Sequence, residues 1–353
     1  MIENFDSIVR EIEELEASRR ALAERLRFNS GKMLYKESLE RDLVIPVKPA
    51  KADGAIVAVD GGLLFEEFHG IDLLVSRAVA VKFEYKESKL LSHAYHPSAF
   101  PQGKVDVKAS LESHEIMWHK SLFRLKQELT CAIEAVKKFN PKYIMLDGSI
   151  VPLVSDKPAD DSGVRVLYEE VIRLYNELYF SCQQAGCALV GVIKDSRGRR
   201  FIEIVQSHTS GENEDFSKTN DTSFLDFFLK EGERTCAFRY SANPTKHQVL
   251  KDFGQWSAQI VTMYLKPVAN DRPLRVEFLA NGKTFDEIAS LVNELSRQNK
   301  QYAHPAILIE ADMRAALDRI EIERAYRDLF VKVGPKSALL KLRRNSRPFK
   351  QNR

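Results

Sequence analysis

Cysteine is scarce. The four in the chain, Cys131, Cys182, Cys187 and Cys236, include no C-x-x-C pair, which argues against a zinc site or a disulfide framework. Cys131 and Cys182 fall in apolar-periodic stretches and read as small buried hydrophobes, a usage that suits a reducing cytoplasm. No run approaches the ~20 apolar residues of a membrane span. The acidic, apolar-poor N-terminus does not read as a signal peptide, so a cytoplasmic location is expected. There is no G-x-x-x-x-G-K-S/T phosphate loop and no internal repeat. Excess charge is also lacking: a net +3 over 353 residues does not announce a polyanion-binding protein.

Local charge says more. From Lys336 to the end the chain carries Lys336, Lys341, Arg343, Arg344, Arg347, Lys350 and Arg353 and no acidic residue. Such a tail suits phosphate backbone or an acidic protein, and equally a solvated, frayed terminus. At the other end Phe5, Ile8, Ile12, Leu15, Leu22 and Leu26 follow a 3-4 spacing interrupted at Arg19. This predicts a helix that either reaches a partner or lies on its own domain.

Between these ends the periodicity alternates. Short β-branched runs predict strands over Ala55–Val59, Ile71–Phe83 and Lys89–Tyr95, joined as an antiparallel meander. A long helical region over Ala109–Phe139 precedes a fourth strand, Tyr143–Leu146. A helix over Val164–Ala185 then leads to a fifth strand, Ala188–Ile193. This β-β-β-α-β-α-β order is that of a ribonuclease-H-like α/β core: a mixed five-stranded sheet with flanking helices. Further strands are expected over Arg234–Tyr240, Ala258–Leu265 and Leu274–Leu279, and helices over Thr284–Gln298 and Ile307–Tyr326. The polar segment Gly211–Asp221 lacks aliphatic residues and reads as a mobile loop.

The right-handed crossover rule sets the fourth strand beside the first, with both carboxyl ends on one edge. Each of those ends meets an aspartate followed by glycine: Asp60-Gly61-Gly62 and Asp147-Gly148-Ser149. An Asp-Gly pair alone usually marks a turn. Two at the ends of neighbouring strands instead suggest carboxylates held for a hard cation such as Mn²⁺ or Mg²⁺, with glycines that let metal and phosphate approach the backbone.

Four motifs appear in order: A-V-D-G-G (58–62), Y-I-M-L-D-G-S-I-V (143–151), G-V-I-K (191–194) and Y-x-x-P-x-x-L-x-x-A (302–311). Together they resemble the NurA nucleases over nearly the whole chain. The resemblance implies a manganese-dependent nuclease of single- and double-stranded DNA, a 5′-3′ exonuclease and single-strand endonuclease. It also implies a homodimer that processes DNA ends with a hexameric HerA-type ATPase. On this basis the chain divides into a helical arm (1–45), a nuclease domain (46–335, its core at about 54–195) and the basic tail (336–353).

Carried over position by position, the resemblance makes Asp60 and Asp147 metal ligands. It asks for a helix glutamate as well: Glu128 is preferred, with Glu115 and Glu134 as alternatives. The family's late motif usually ends in Ala-His. Here Ala311-Asp312 stands in its place, which makes Asp312 the expected fourth ligand, with His304 as a spare more in keeping with a structural role. Lys194 is placed to steady the phosphate. Arg197, Arg199, Arg200, Tyr264 and Arg275 are candidate DNA contacts, whereas Trp118, Trp256 and Phe253 suit core packing better than base stacking. The expected chemistry is attack of metal-activated water on a phosphodiester. Two other classes stay open: a non-catalytic partner-binding scaffold whose acidic site has decayed, and an actin- or sugar-kinase-like phosphotransferase.

Overall fold

The computed structural model describes residues 5–29, 37–109, 111–207 and 216–334. The basic tail and residues 211–215 of the polar segment lie outside them. In chain order the elements are α1 (Phe5–Asn29), β1 (Val44–Pro46), β2 (Gly54–Glu67), β3 (Ile71–Lys86), β4 (Lys89–His96), β5 (Lys104–Ala109) and α2 (Ser113–Phe139). Next come β6 (Tyr143–Asp147), α3 (Arg165–Gln184), β7 (Ala188–Ile193), α4 (Arg200–Gln206), α5 (Asp221–Phe228), β8 (Glu233–Thr235) and β9 (Phe238–Arg239). The last are β10 (Val261–Lys266), β11 (Leu274–Leu279), α6 (Phe285–Ser296), α7 (Ala306–Ala315) and α8 (Arg319–Val333).

All the strands join one eleven-stranded sheet, ordered β1-β8-β10-β11-β7-β6-β2-β3-β4, with β5 also on β3 and β9 on β10. The five core strands run β4-β3-β2-β6-β7, with β6 parallel to both β2 and β7, which is the ribonuclease-H-like arrangement. The late strands do not form a separate unit. They extend this sheet antiparallel from β7 through β11 and β10.

Side-chain alternation explains how two helical layers can cover one sheet. Val57, Val59, Ile144 and Leu146 pack on one face with Leu122, Leu129 and Leu178 of α2 and α3. Ile56, Ala58, Met145 and Val190 pack on the other with Ile288, Val292, Ile307 and Leu308 of α6 and α7. Both faces of the central strands are therefore buried, which accounts for their nearly unbroken apolar runs.

Four boundaries differ from the sequence reading. The first strand does not end at Asp60: β2 runs on to Glu67, and Gly61 and Gly62 pair in register with Ala78 and Arg77 of β3. The helical region expected from Ala109 begins only at Ser113, because Val105 and Val107 alternate with charged residues and form β5 on β3. The strand expected over Arg234–Tyr240 is two short pieces, β8 and β9. The single helix over Ile307–Tyr326 is two, α7 and α8. Arg77 ends the first by donating to the carbonyls of Ala315 and Ala316, and Asp318 starts the second by capping Ile320 N–H.

Helix α1 is partly a docked helix. Leu22, Ala23 and Leu26 are buried with Phe224, Leu225 and Phe228 near α5, while Phe5, Ile8 and Ile12 are exposed. Arg27 fixes the docked half through a 2.6 Å ion pair with Glu233.

One buried acid ties this region together. The fully buried Asp221 accepts the N–H groups of Phe201 and Ile202, each at 3.0 Å, and the Tyr264 hydroxyl at 3.0 Å, so it caps α4 from the start of α5. Burial outweighs these bonds and pushes its carboxyl up to about 6. Folding therefore favours the protonated acid. The stability it contributes is complete below about pH 4 and is lost as pH rises through about 6, a difference on the order of 2–3 kcal/mol. Asp221→Asn keeps an acceptor but cannot ionise. Urea midpoints measured from pH 4 to 7 should fall for the wild type relative to this variant, and parallel curves would show that Asp221 does not titrate in the window.

Candidate metal centre

The parallel pairing of β2 with β6 stops at Val59 and Leu146. The next residues are Asp60 and Asp147, so two carboxylates stand side by side where the strands part. By alternation both lie on the face covered by α7. Glu128 comes from α2 on the opposite face, and Gly61 lets it through. A Cβ at Gly61 would stand 2.5 Å from Glu128 Cγ and 2.6 Å from its Oε1. A Cβ at Gly62 would stand 2.3 Å from the Ala315 carbonyl oxygen, so the second glycine admits the end of α7. The glycines serve close approach rather than a turn.

The three helix glutamates have separate fates. Glu115 caps its own helix, accepting from Glu112 N–H and from the Ser162 hydroxyl at 2.7 Å. Glu134 pairs with His96 at 2.7 Å. Glu128 alone of the three faces the aspartates.

Electrostatics sets the carboxylates apart. Burial and the neighbouring Glu128 and Asp147 push Asp60 up to about 8, and Asp312 adds to the effect. Burial raises Glu128 to about 7 against the pull of Arg124. Burial also acts on Asp147, but Lys194 and His304 outweigh it and hold that carboxyl below its usual range. Lys194 Nζ donates to Asp147 Oδ2 at 3.0 Å, and His304 Nε2 lies 3.4 Å from the same oxygen.

Among the described residues no three His, Cys, Asp or Glu side chains stand close enough to form a finished metal-ligand set. The donors nonetheless fit a hard divalent cation. They are carboxylate oxygens, two of them costly to ionise without a counter-charge, and the buried Glu128 Oε1 has no hydrogen-bond partner. Asp312 lies exposed on α7 and is felt at Asp60 only through charge. His304 is buried beside Asp147 with both ring nitrogens lacking hydrogen bonds, so it belongs to the site more closely than its place before a proline suggested.

A cavity of about 550 Å³ opens beside the carboxylates. Glu128 and Asp147 line it together with Arg124, Arg197, Arg275 and Tyr240. Arg197 is exposed there. Arg275 is buried and braced by Glu277 at 2.7 Å; Glu277 also accepts the Ser149 hydroxyl at 2.5 Å and so holds the loop after Asp147. The other expected DNA contacts are engaged within the chain. Arg199 donates to the carbonyls of Phe216, Ser217 and Thr219, and Arg200 pairs with Glu37. Tyr264 is fully buried on Asp221. Phe253 and Trp256 pack with Tyr179 in the core, and Trp118 lies partly buried against it.

Arg124 and His304 carry the site residues that sequence reasoning undervalued or missed. Arg124 stands four residues before Glu128, on the same helix face, which is a readable signal. His304 is brought in by the chain segment that enters α7, and nothing in its spacing announces the contact.

The family model of the NurA domain matches residues 54–317. No curated protein sequence matches the chain. Among solved structures, the NurA nuclease from Sulfolobus solfataricus superposes with a TM-score of 0.56 at 16% identity, covering 94% of this chain and 98% of that one. A NurA bound to dAMP and manganese gives 0.56 at 12% identity, covering 96% and 100%. A NurA with manganese gives 0.54 at 12%, covering 94% and 99%. At these identities the superpositions speak for the fold.

Crowded carboxylates make a testable liability. Asp60→Asn and Glu128→Gln each remove a charge that is costly to bury, so both variants should melt several degrees above the wild type in EDTA. Saturating Mn²⁺ should raise the wild-type Tm by a comparable or larger amount, since a ligand at 100 times its Kd adds about 2.7 kcal/mol. It should raise the variants' Tm much less. Equal Mn²⁺ shifts in all three proteins, followed by differential scanning fluorimetry, would place the cation elsewhere.

Proposed function

The chain belongs to the NurA family, and from that premise we propose that it is a divalent-metal-dependent deoxyribonuclease that trims DNA ends. The observation that supports this reading best is the meeting of Asp60, Glu128 and Asp147 from three elements at one opening of the sheet, with Lys194 bonded to one of them. Those three carboxylates would hold Mn²⁺ or Mg²⁺, with Asp312 as a fourth donor from α7. A cation bound there supplies Lewis-acid polarisation of the phosphodiester and a nucleophilic water at neutral pH.

The chain's own groups do the rest. Lys194 is held at the edge of the site by Asp147 and steadies negative charge that develops on the scissile phosphate. Arg197, at the cavity rim, and Arg275, in its wall, attract and orient the DNA backbone. Glu277 keeps Arg275 and the loop after Asp147 in place, so the aspartate does not drift as substrate enters. Substrates in this reading are single- and double-stranded DNA, cut by 5′-3′ exonuclease and single-strand endonuclease action. The working form is a homodimer fed by a HerA-type hexameric ATPase.

End-labelled single-stranded DNA incubated with Mn²⁺, Mg²⁺ or EDTA tests this directly. The wild type should degrade the label only with a divalent cation. Asp60→Asn, Glu128→Gln and Asp147→Ala should each lower the rate by about a hundredfold or more, since even partners of metal ligands cost roughly 10–100-fold. A wild type inactive with every cation, also with a HerA-type ATPase and ATP present, would falsify the nuclease reading.

A further inference from the structure

The cation that stands beside Glu128 is a side chain. Arg124 Nη1 lies 3.2 Å from Glu128 Oε1 and 3.5 Å from the Gly61 carbonyl oxygen. Its attachment is loose. The contact with Glu128 lacks hydrogen-bond geometry, since Glu128 Oε1 has no hydrogen-bond partner, and the Arg124 side chain is 39% exposed to the cavity. Arg275, in the same cavity, differs on both counts: it is buried and donates a well-formed bond to Glu277. Arg197 is freer still but is not placed on a carboxylate; Arg124 is a half-free guanidinium parked on a carboxylate that a hard cation also needs.

Two cations cannot share one carboxylate oxygen in a confined site without repelling each other. We propose that Arg124 exchanges partners: in the metal-free protein it neutralises Glu128, and when a divalent cation takes that carboxylate the guanidinium turns into the cavity and binds a backbone phosphate of the DNA. This rests on the metal-dependent reading above and adds to it a DNA-binding residue coupled to metal loading. A guanidinium suits the second role, because its planar fork matches two phosphate oxygens, and the cavity's opening beside Asp147 gives it room to turn.

The exchange has a signature that a merely supporting role lacks. If Arg124 competes with the metal, removing it should tighten metal binding; if it only props Glu128 in place, removal should loosen it. Mn²⁺ titrated calorimetrically into the protein without DNA should bind Arg124→Ala about three to ten times more tightly than wild type, the range expected from losing a half-exposed ion pair. The uncharged, longer Arg124→Gln should behave the same way and guards against a local packing effect in the alanine variant. Binding of a fluorescein-labelled single-stranded oligonucleotide, followed by anisotropy with Ca²⁺ replacing Mn²⁺ and the strand checked as intact, should weaken about tenfold in both variants. The slope of log affinity against log salt should become shallower by about 0.7, the value for one lost phosphate contact on a single strand.

Unchanged or weaker Mn²⁺ affinity in the variants overturns the exchange, and so does tighter Mn²⁺ binding with undiminished DNA affinity. Wild-type protein that binds no Mn²⁺ at all overturns the metal reading itself, and the exchange with it.

Discussion

Like charge in a confined space governs this molecule. Asp60, Glu128 and Asp147 are held together largely buried, where Glu128 and Asp147 raise the cost of ionising Asp60 and Asp147 raises that of Glu128. Lys194, His304 and Arg124 offset part of that cost, and the surrounding architecture holds the cluster in place. The long β2–β3 pairing keeps Asp60 from swinging out, α2 is buried along the face that carries Glu128, and Lys194 anchors Asp147. Much of what looks like ordinary core packing is thus also the frame that keeps three acids together.

The two glycines after Asp60 show how closely frame and site are coupled. One admits a glutamate from the face of α2 and the other admits the end of α7 from the opposite face. Arg77, paired opposite Gly62 in the sheet, then grips the carbonyls at the end of α7 and reaches Glu321 of α8. A single stretch of β2 thereby fixes the approach of both helical layers to the carboxylates. Substituting either glycine would displace a whole element, which is a harsher effect than loss of a flexible turn.

The parts of this arrangement that were legible in the sequence depend on short-range pattern. Short β-branched apolar runs marked the core strands, and the parallel β-α-β logic placed Asp147 beside Asp60. Three kinds of feature were not legible. Asp60-Gly61-Gly62 read as a strand end because glycine's use in close approach leaves no trace in local periodicity. The break between α7 and α8 is imposed by Arg77, more than two hundred residues away along the chain. The choice of Glu128 over Glu115 and Glu134 depends on helix register, and only packing reveals that. The partners of the other candidate contacts were equally hidden: Arg199 and Arg200, in the basic turn, meet carbonyls and an acid of this chain, and Tyr264, on β10, is buried on Asp221.

The division of charge among the three carboxylates also bears on how the site assembles. Asp147 is kept in its charged form by Lys194 and His304, whereas burial favours the neutral forms of Asp60 and Glu128. In the metal-dependent reading proposed above, a cation would meet one acid already charged and two that burial drives toward the neutral form. Pushing neighbouring acids apart in this way assigns them different tasks. Asp147, at the end of a short parallel strand buried on both sides, is the acid held charged, and Asp60 and Glu128 are the two whose charge is costly. The asymmetry follows from position: β6 lies between β2 and β7, so Asp147 is next to Lys194 just past the end of β7 and to His304 before α7, while Asp60 faces the other acids without a basic neighbour of its own on β2.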